Sequence, residues 1–385
     1  MARCSEMRKI RTLIVDDAVI VRKILTDTLQ ADPEIEVVGS ASNGRLALMK
    51  VSQLKPDIIT LDQEMPELSG TETLKILRKE FPDIPVIMFS AFTERGAALT
   101  LEALNLGASD YVTKPSNFDR GGTTKEEIYS ELRSKIKVLG RKEEASGRPP
   151  YSSVPKAALT EKIAVEPKKC PLAPMGQGPI DVLTIGVSTG GPNALAKVLP
   201  ALPADLSVPV VVVQHMPPMF TRLLAERLDA QCALSVVEAT EGMKVEAGTI
   251  YIAPGDYHLE LVRSGADILT HLHQGPQENS CRPAADVLFR SCVNVYGPRV
   301  LAAVLTGMGS DGFIGCQQIR QAGGRVLAQD EASSVVWGMP AYVAEGGLAE
   351  AIVPLDEIAS ELTRRITQGN IKRVSRPERP SGGTQ

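Results

Sequence analysis

The sequence predicts an α/β protein built from two successive parallel sheets, each wrapped by helices on both faces. Three observations predict it. Up to about Lys142, short apolar runs alternate with amphipathic helical stretches five times. Between 143 and 179, prolines at 149, 150, 155, 167, 171, 174 and 179 break every period. From Ile180 a second series of apolar runs and helical stretches follows. Such alternation implies parallel strands, because each crossover carries a helix over a face of the sheet.

In the first region the strand-like runs are 12–15, 35–41, 57–61, 86–90 and 111–113. The helical stretches are 18–30, 45–55, 70–81, 94–106 and 125–139. In the second region the strand-like runs are 182–187, 209–214, 234–238, 248–253, 258–262, 267–271, 300–305, 325–328 and 350–353. Helices are expected at 219–230, 282–294 and 313–321. The middle runs have no helix between them, which predicts a β-hairpin inserted into a doubly wound sheet. After Gln368 the chain is rich in Arg, Pro, Gly and Ser, a composition that buries too little apolar surface to fold. The expected organisation is therefore a domain at 1–142, a linker at 143–179, a domain at 180–368 and a disordered tail at 369–385.

Composition narrows the function classes. The chain has 385 residues, 43% of them hydrophobic and 23% charged, as in globular proteins. A formal net charge of -4 argues against a broad nucleic-acid surface. The six cysteines include no CxxC pair, so they read as thiols of a reducing compartment, without a disulfide framework or a zinc site. The run Leu13-Ile14-Val15 leads straight into Asp16-Asp17, and no secretory apolar region follows. The runs near Val210 and Leu301 are too short to span a bilayer. A cytoplasmic protein with no membrane insertion is expected.

In the first region, chemistry-bearing residues fall at strand ends. Asp16 and Asp17 close the first strand, Asp62 the third, Ser90 the fourth, and Lys114-Pro115 the fifth. The carboxyl ends of parallel strands converge on a crevice at the topological switch point. Three carboxylates there repel one another unless a hard cation such as Mg²⁺ joins them. A lysine opposite neutralises a phosphoryl group on Asp62, and Ser90 hydrogen-bonds its oxygens. Each residue alone also has a structural role open to it: an acid at a strand end caps a helix, and Lys-Pro makes a corner.

The segments Leu13-Ile14-Val15-Asp16-Asp17, Leu61-Asp62-Gln63-Glu64-Met65-Pro66 and Tyr111-Val112-Thr113-Lys114-Pro115 resemble the response-regulator receiver domain over the first third of the chain. The resemblance implies strand order 2-1-3-4-5 and Mg²⁺-dependent phosphorylation of Asp62 by a histidine kinase. It implies a switch in which Ser90 and Tyr111 relocate around the phosphoryl group. It also gives the backbone carbonyl of Glu64 a part in holding Mg²⁺, where this chain's carboxylate adds negative charge.

The second region opens on Gly186-Val187-Ser188-Thr189-Gly190-Gly191, directly after an apolar strand and before a helix. Glycines force a sharp turn there, which lifts Ser188 above the sheet near free backbone N–H groups able to stabilise an oxyanion. His215 follows the apolar run 210–213, and Asp311 follows the strand at 300–305. A nucleophile, a general base and an orienting acid thus occupy corresponding strand ends. Their chain order, Ser, His, Asp, differs from that of the α/β-hydrolases. Taken singly, Ser188 also reads as a helix cap, His215 as a hydrogen-bonded histidine at a strand edge, and Asp311 as part of a tight turn. His271 and His273 share one face of a strand-like run, but no third metal ligand is evident.

The segments GVSTGGP, QHMP, APGDYHLEL, SCRPAADVLFRS and TGMGSDG resemble the catalytic domain of the chemotaxis protein-glutamate methylesterases. With the receiver, the resemblance spans nearly the whole chain. It implies hydrolysis of glutamate methyl esters on methyl-accepting chemotaxis receptors, and deamidation of particular receptor glutamines. It assigns the oxyanion to amides near Ser188 and to that of Met308, with Thr189 beside them, and requires no cofactor for the esterase chemistry. The implied partners are the receptors and a chemotaxis histidine kinase, with no nucleic acid. The implied control is a receiver that obstructs Ser188 until Asp62 is phosphorylated. The rival reading is a response regulator whose output domain only binds a partner; against a DNA-binding output, no helix-turn-helix pattern follows the linker.

Overall fold

Val86–Ser90 and Ile58–Asp62 bury every one of their side chains, as strands covered on both faces must. They are β4 and β3 of the first sheet in the computed structural model, which describes residues 8–115, 124–141 and 178–374, without the side chains of 370–374. The chain divides into two units, Met1–Pro171 and Leu172–Gln385. The expected linker falls almost wholly outside the described residues.

In the first unit, β1 (Ile10–Val15), α1 (Val19–Gln30), β2 (Ile35–Ala41), α2 (Gly44–Leu54), β3, α3 (Gly70–Glu80), β4, α4 (Glu94–Asn105), β5 (Asp110–Thr113) and α5 (Lys125–Leu139) alternate strictly. The strands pair in parallel in the order β2-β1-β3-β4-β5, the order that the resemblance implies. Side-chain caps start α2, α3, α4 and α5: Asn43, Ser69, Thr93 and Thr124 each accept a backbone N–H of the first turn. Ile14, Leu25, Leu29, Phe89 and Leu132 form one core between the sheet and the helices that cover it.

In the second unit the elements are β6 (Val182–Val187), α6 (Gly191–Val198), β7 (Val210–Gln214), α7 (Phe220–Asp229), β8 (Ser235–Glu238), β9 (Thr249–Ile252), β10 (His258–Ser264), β11 (Asp267–His273), α8 (Ala285–Tyr296), β12 (Val300–Val304), α9 (Phe313–Gln321), β13 (Arg325–Gln329), α10 (Met339–Glu345), β14 (Ala351–Val353) and α11 (Leu355–Val374). The main sheet runs β14-β13-β12-β6-β7-β9-β8, all parallel. Order reverses between β6 and its neighbours β12 and β7, which sets a crevice at their carboxyl ends. Fully buried Phe289 and Leu288 of α8 pack on Val182, Val211 and Val304; each such side chain contributes about 1.5–3 kcal/mol by leaving water.

The expected β-hairpin insertion is β10–β11, an antiparallel ribbon that pairs apart from the main sheet. Its strand β11 bonds the β8–β9 connection through Gly242, Met243 and Val245, which supplies the partners a crossover helix would otherwise satisfy internally. One expectation changes: the last helix continues past Gln368 to Val374; Leu362 and Ile366 anchor its buried side, where Arg365 is also buried and pairs with Glu350 and Glu361. Residues 375–385 of the expected tail lie outside the described part. Among the described residues, no helix is long and apolar enough to cross a membrane.

Candidate functional site

Adjacent strand ends bring Ser188, His215 and Asp311 to one crevice. Ser188 follows β6 and donates its amide to Thr306 O at 3.0 Å, which ties it to the loop after β12. His215 follows β7 and donates its amide to Val187 O at 3.2 Å. Gln214, fully buried, donates its side-chain amide to Ser188 O at 3.0 Å and His215 O at 3.2 Å, joining the two turns. Gly190 has φ 76°, and a Cβ there would lie 2.6 Å from Val335 Cβ, so the turn after the serine requires glycine. Among the described residues, no hydrogen bond takes up the backbone N–H of Thr189 or Met308. The Thr189 side chain is buried, and its carbonyl accepts Thr306 Oγ1 at 3.0 Å.

His215 Nε2 lies 2.7 Å from Asp311 Oδ2. Asp311 is 2% exposed and receives four further donors. Oδ2 accepts Ala285 N at 2.6 Å, and Oδ1 accepts Asn279 Nδ2, Asp286 N and Gly312 N at 2.9, 3.0 and 2.9 Å. Ala285 and Asp286 begin α8, so the positive end of that helix also faces the carboxylate. Burial alone would raise the Asp311 pKa, but His215 and these amides outweigh it and hold the group below the ordinary carboxylate range. Burial pulls His215 down, yet Cys281 and Asp311 carry its pKa well above the ordinary imidazole value. Asp286 is pushed up to about 6 by its own burial and then by the charge of Asp311.

Among the described residues, the second ring nitrogen of His215 makes no hydrogen bond with the serine hydroxyl. Nδ1 lies 3.6 Å from Cys281 Sγ, and among the described residues no hydrogen bond is made by Ser188 Oγ. Sequence reasoning assigned no role to Cys281, Asn279, Asp286, Gln214 or Thr306. The first three flank or lie within SCRPAADVLFRS, so their segment was visible and their parts in it were not.

The carboxylates of the first unit also converge. Asp16, Asp17 and Asp62 each offer an oxygen within 4.8 Å of the others. Lys114 Nζ sits 2.8 Å from both Asp16 Oδ2 and Asp62 Oδ2. Burial pushes Asp62 up to about 6, with Asp16 adding to the rise and Lys114 opposing it. Three hard oxygen donors with one exposed member, Asp17, fit a Mg²⁺ ion that keeps part of its water shell. Ser90 Oγ, buried, donates to Gly96 O at 3.2 Å. Tyr111 is buried beneath Lys135, whose Nζ stands 5.2 Å from the ring centre. The carboxylate of Glu64 turns toward Arg95, 3.5 Å away at the surface.

The antiparallel register sets His258 opposite His273, with ring centres 5.2 Å apart, and His271 pairs with Glu241 at 3.1 Å. Among the described residues, the acidic trio of the first unit is the one group whose donor atoms lie close enough together for a metal.

Known proteins resemble both units. The family model for CheB methylesterase matches residues 183–362, and that for the response regulator receiver domain matches residues 12–123. A protein-glutamate methylesterase/protein-glutamine glutaminase of Nocardioides sp. is 52% identical over 362 residues, covering 94% of this chain and 97% of that one. A protein of the same name from Trichodesmium erythraeum is 48% identical over 364 residues, covering 94% and 100%. The crystal structure of the Thermotoga maritima CheB methylesterase catalytic domain shares 41% identity with this chain, covers 48% of it and 98% of that domain, and has a TM-score of 0.47.

Proposed function

The chain belongs to the CheB methylesterase family whose members also carry a receiver domain, and from that membership we propose that it is a cytoplasmic, phosphorylation-controlled protein-glutamate methylesterase and protein-glutamine glutaminase. Its substrates are glutamate methyl esters and particular glutamines of methyl-accepting chemotaxis receptors. The observation that carries the proposal is the His215–Asp311 pair, 2.7 Å apart at strand ends beside the Ser188 turn.

The chemistry follows from which nitrogen is free. Asp311 commits Nε2–H, so Nδ1 carries the lone pair that serves as base. Ser188 Oγ attacks the ester carbonyl carbon, and Nδ1 takes its proton. The charge that develops on the carbonyl oxygen is met by the unengaged amides of Thr189 and Met308. Asp311 stabilises the imidazolium without taking its proton. His215 then protonates the departing methoxide, and methanol leaves. Water repeats the sequence on the acyl-serine and releases the glutamate carboxylate. With a glutamine the leaving group is ammonia, and the remaining steps are the same.

In the first unit, Asp62 is the phosphoryl acceptor, and the phosphodonor is a chemotaxis histidine kinase. Asp16, Asp17, Asp62 and the carbonyl of Glu64 would hold Mg²⁺, which when bound neutralises charge on the phosphoryl oxygens. Lys114 already spans two of these carboxylates and supplies a second cation opposite. Ser90 and Tyr111 rearrange once the phosphoryl group is present. The receiver limits 1–142 and a catalytic domain from 180 to the end of α11 belong to the same proposal.

Methanol release from methylated receptor membranes tests the activity, with and without a small-molecule phosphodonor. Ser188→Ala should abolish release while circular dichroism and labelling of Asp62 stay unchanged. Release that persists in Ser188→Ala removes the serine from the mechanism.

A further inference from the structure

Between the ribbon and α8, the chain makes one tight turn, Glu278-Asn279-Ser280-Cys281. Its ends exchange hydrogen bonds, Cys281 N to Glu278 O at 2.9 Å and Glu278 N to Cys281 O at 3.2 Å. Both central residues have positive φ, 54° and 61°, the pattern of a type I′ turn. Arg282 braces the following step, with Nε 3.0 Å from Asp256 Oδ1 and Nη1 2.9 Å from Gly275 O. From this fixed turn Asn279 reaches Asp311 at 2.9 Å and Cys281 Sγ reaches His215 Nδ1 at 3.6 Å.

We infer that Cys281 is a positioning residue for His215: its thiol occupies Nδ1 in the resting enzyme and keeps the imidazole aligned until the Ser188 hydroxyl replaces it. The inference rests on the reading of Ser188 and His215 given above. Nε2 is fixed by Asp311 and cannot by itself stop rotation about that one bond, so a second contact at Nδ1 defines the ring plane. An S–H that donates to Nδ1 also enforces the tautomer in which Nε2–H faces Asp311. That is the tautomer in which Nδ1 can later accept a proton. A thiol is a weak donor, so exchanging it for a hydroxyl costs little.

The charged or ionisable groups around the ring are Cys281 on the turn, Asp311 after β12, and Asp286 on α8 behind Asn279. Cys281 and Asp311 both raise the His215 pKa against burial. Once His215 is protonated, its Nδ1–H donates to the Cys281 sulfur, so removing the sulfur lowers the pKa.

The test uses the full chain with phosphodonor, comparing native protein, Cys281→Ala and Cys281→Ser for kcat, KM and the pH profile of methanol release. Cys281→Ala should lose about three- to ten-fold in kcat with KM unchanged, the scale of one weak hydrogen bond. Its acid limb should move to lower pH. Cys281→Ser should regain part of kcat. A Cys281→Ala enzyme with native kcat and a native acid limb overturns the inference, as does a serine variant that regains nothing. NMR titration of the ¹³C-labelled His215 ring gives a readout independent of turnover, and its midpoint should fall in Cys281→Ala. If native protein releases no methanol while that midpoint still falls, the activity reading fails and only the contact between Cys281 and His215 stands. If Ser188→Ala keeps turnover and Cys281→Ala abolishes it, the thiol is the nucleophile and both readings fail.

Discussion

Asn279 Nδ2 lies 2.9 Å from Asp311 Oδ1, and the same nitrogen lies 2.9 Å from Asp286 Oδ2. One amide group therefore stands between two buried carboxylates. Asp286 meets this arrangement by binding its proton more tightly, with a pKa of about 6, while Asp311 stays in the anionic form that His215 needs. The division of roles follows from partners: Asp311 accepts three backbone amides, whereas Asp286 Oδ1 accepts one, Gly315 N at 2.6 Å.

Replacing that bridge should be felt at the histidine. Asn279→Ala is expected to lower kcat about ten-fold and stability by about 1–2 kcal/mol, because two buried acceptors lose their shared donor. Asn279→Asp should be worse on both counts, since it sets a third carboxylate beside the pair. Steady-state methanol release and urea unfolding check both variants. An Asn279→Asp enzyme as active as native would show that the bridge has no electrostatic role.

Asp311→Asn separates charge from shape. Loss of the carboxylate should cost about 10³–10⁴-fold in kcat, as expected when an orienting acid can no longer fix the tautomer or balance the imidazolium. His215 acts as a base only when neutral, and its raised pKa places the native acid limb above the ordinary histidine value of 6.5. Without the Asp311 charge the residual activity should extend to lower pH. The stability linkage has two opposite signs. The raised His215 contributes stability that is full below its unfolded pKa and lost as pH rises through the folded one. The lowered Asp311 contributes stability present above its unfolded pKa and lost as pH falls through the folded one. Thermal melts of native and Asp311→Asn protein should converge as pH falls through the folded Asp311 pKa and stay apart at high pH, where the backbone amides still favour the carboxylate.

In the first unit, Lys114 is the cation that lets Asp16 and Asp62 lie together, their side chains 1% and 4% exposed. Lys114→Met leaves two buried carboxylates facing one another and should cost about 2–3 kcal/mol, somewhat below a fully buried pair because the lysine is partly solvated. Mg²⁺ should restore part of that loss, and labelling by a phosphodonor should fall. Calorimetry with and without Mg²⁺ reads the first effect. A variant that melts with the native protein in chelator would remove Lys114 from the electrostatic account.

Local signals made the strand ends legible. Apolar runs such as Val210–Gln214 stop at polar residues, and parallel sheets gather those ends, so Ser188, His215 and Asp311 could be grouped before any coordinates. The crowding around His215 could not. Cys281 and Asn279 reach the site through a turn whose central residues, Asn279 and Ser280, adopt positive φ without glycine, and spacing carries no trace of that. The ribbon was legible as two strands, but its pairing with Met243 and Val245 depends on a connection with no period of its own. The extent of α11 was hidden because Gln368, Asn370, Lys372 and Arg373 are polar and Gly369 breaks the pattern.

Gly307 offers a test of how tightly the serine is seated. Its backbone has ordinary φ, so alanine costs little conformationally, but a Cβ there would lie 2.8 Å from Ser188 Cβ and 2.5 Å from Met339 Sδ. The methionine end can move. The Ser188 side is held by Thr306 O and by the Gln214 contact to Ser188 O, and it cannot yield without shifting the hydroxyl. Gly307→Ala should therefore lower kcat by about 10²-fold, the cost of displacing a reacting atom by a fraction of an ångström to one ångström. Because the three atoms nearest this Cβ belong to Met339 and Ser188 and not to His215 or Asp311, the pH at which activity falls should stay where it is in the native enzyme. A Gly307→Ala variant with native turnover would mean that Ser188 moves freely in its turn, and the seating by Thr306 and Gln214 would not matter to catalysis.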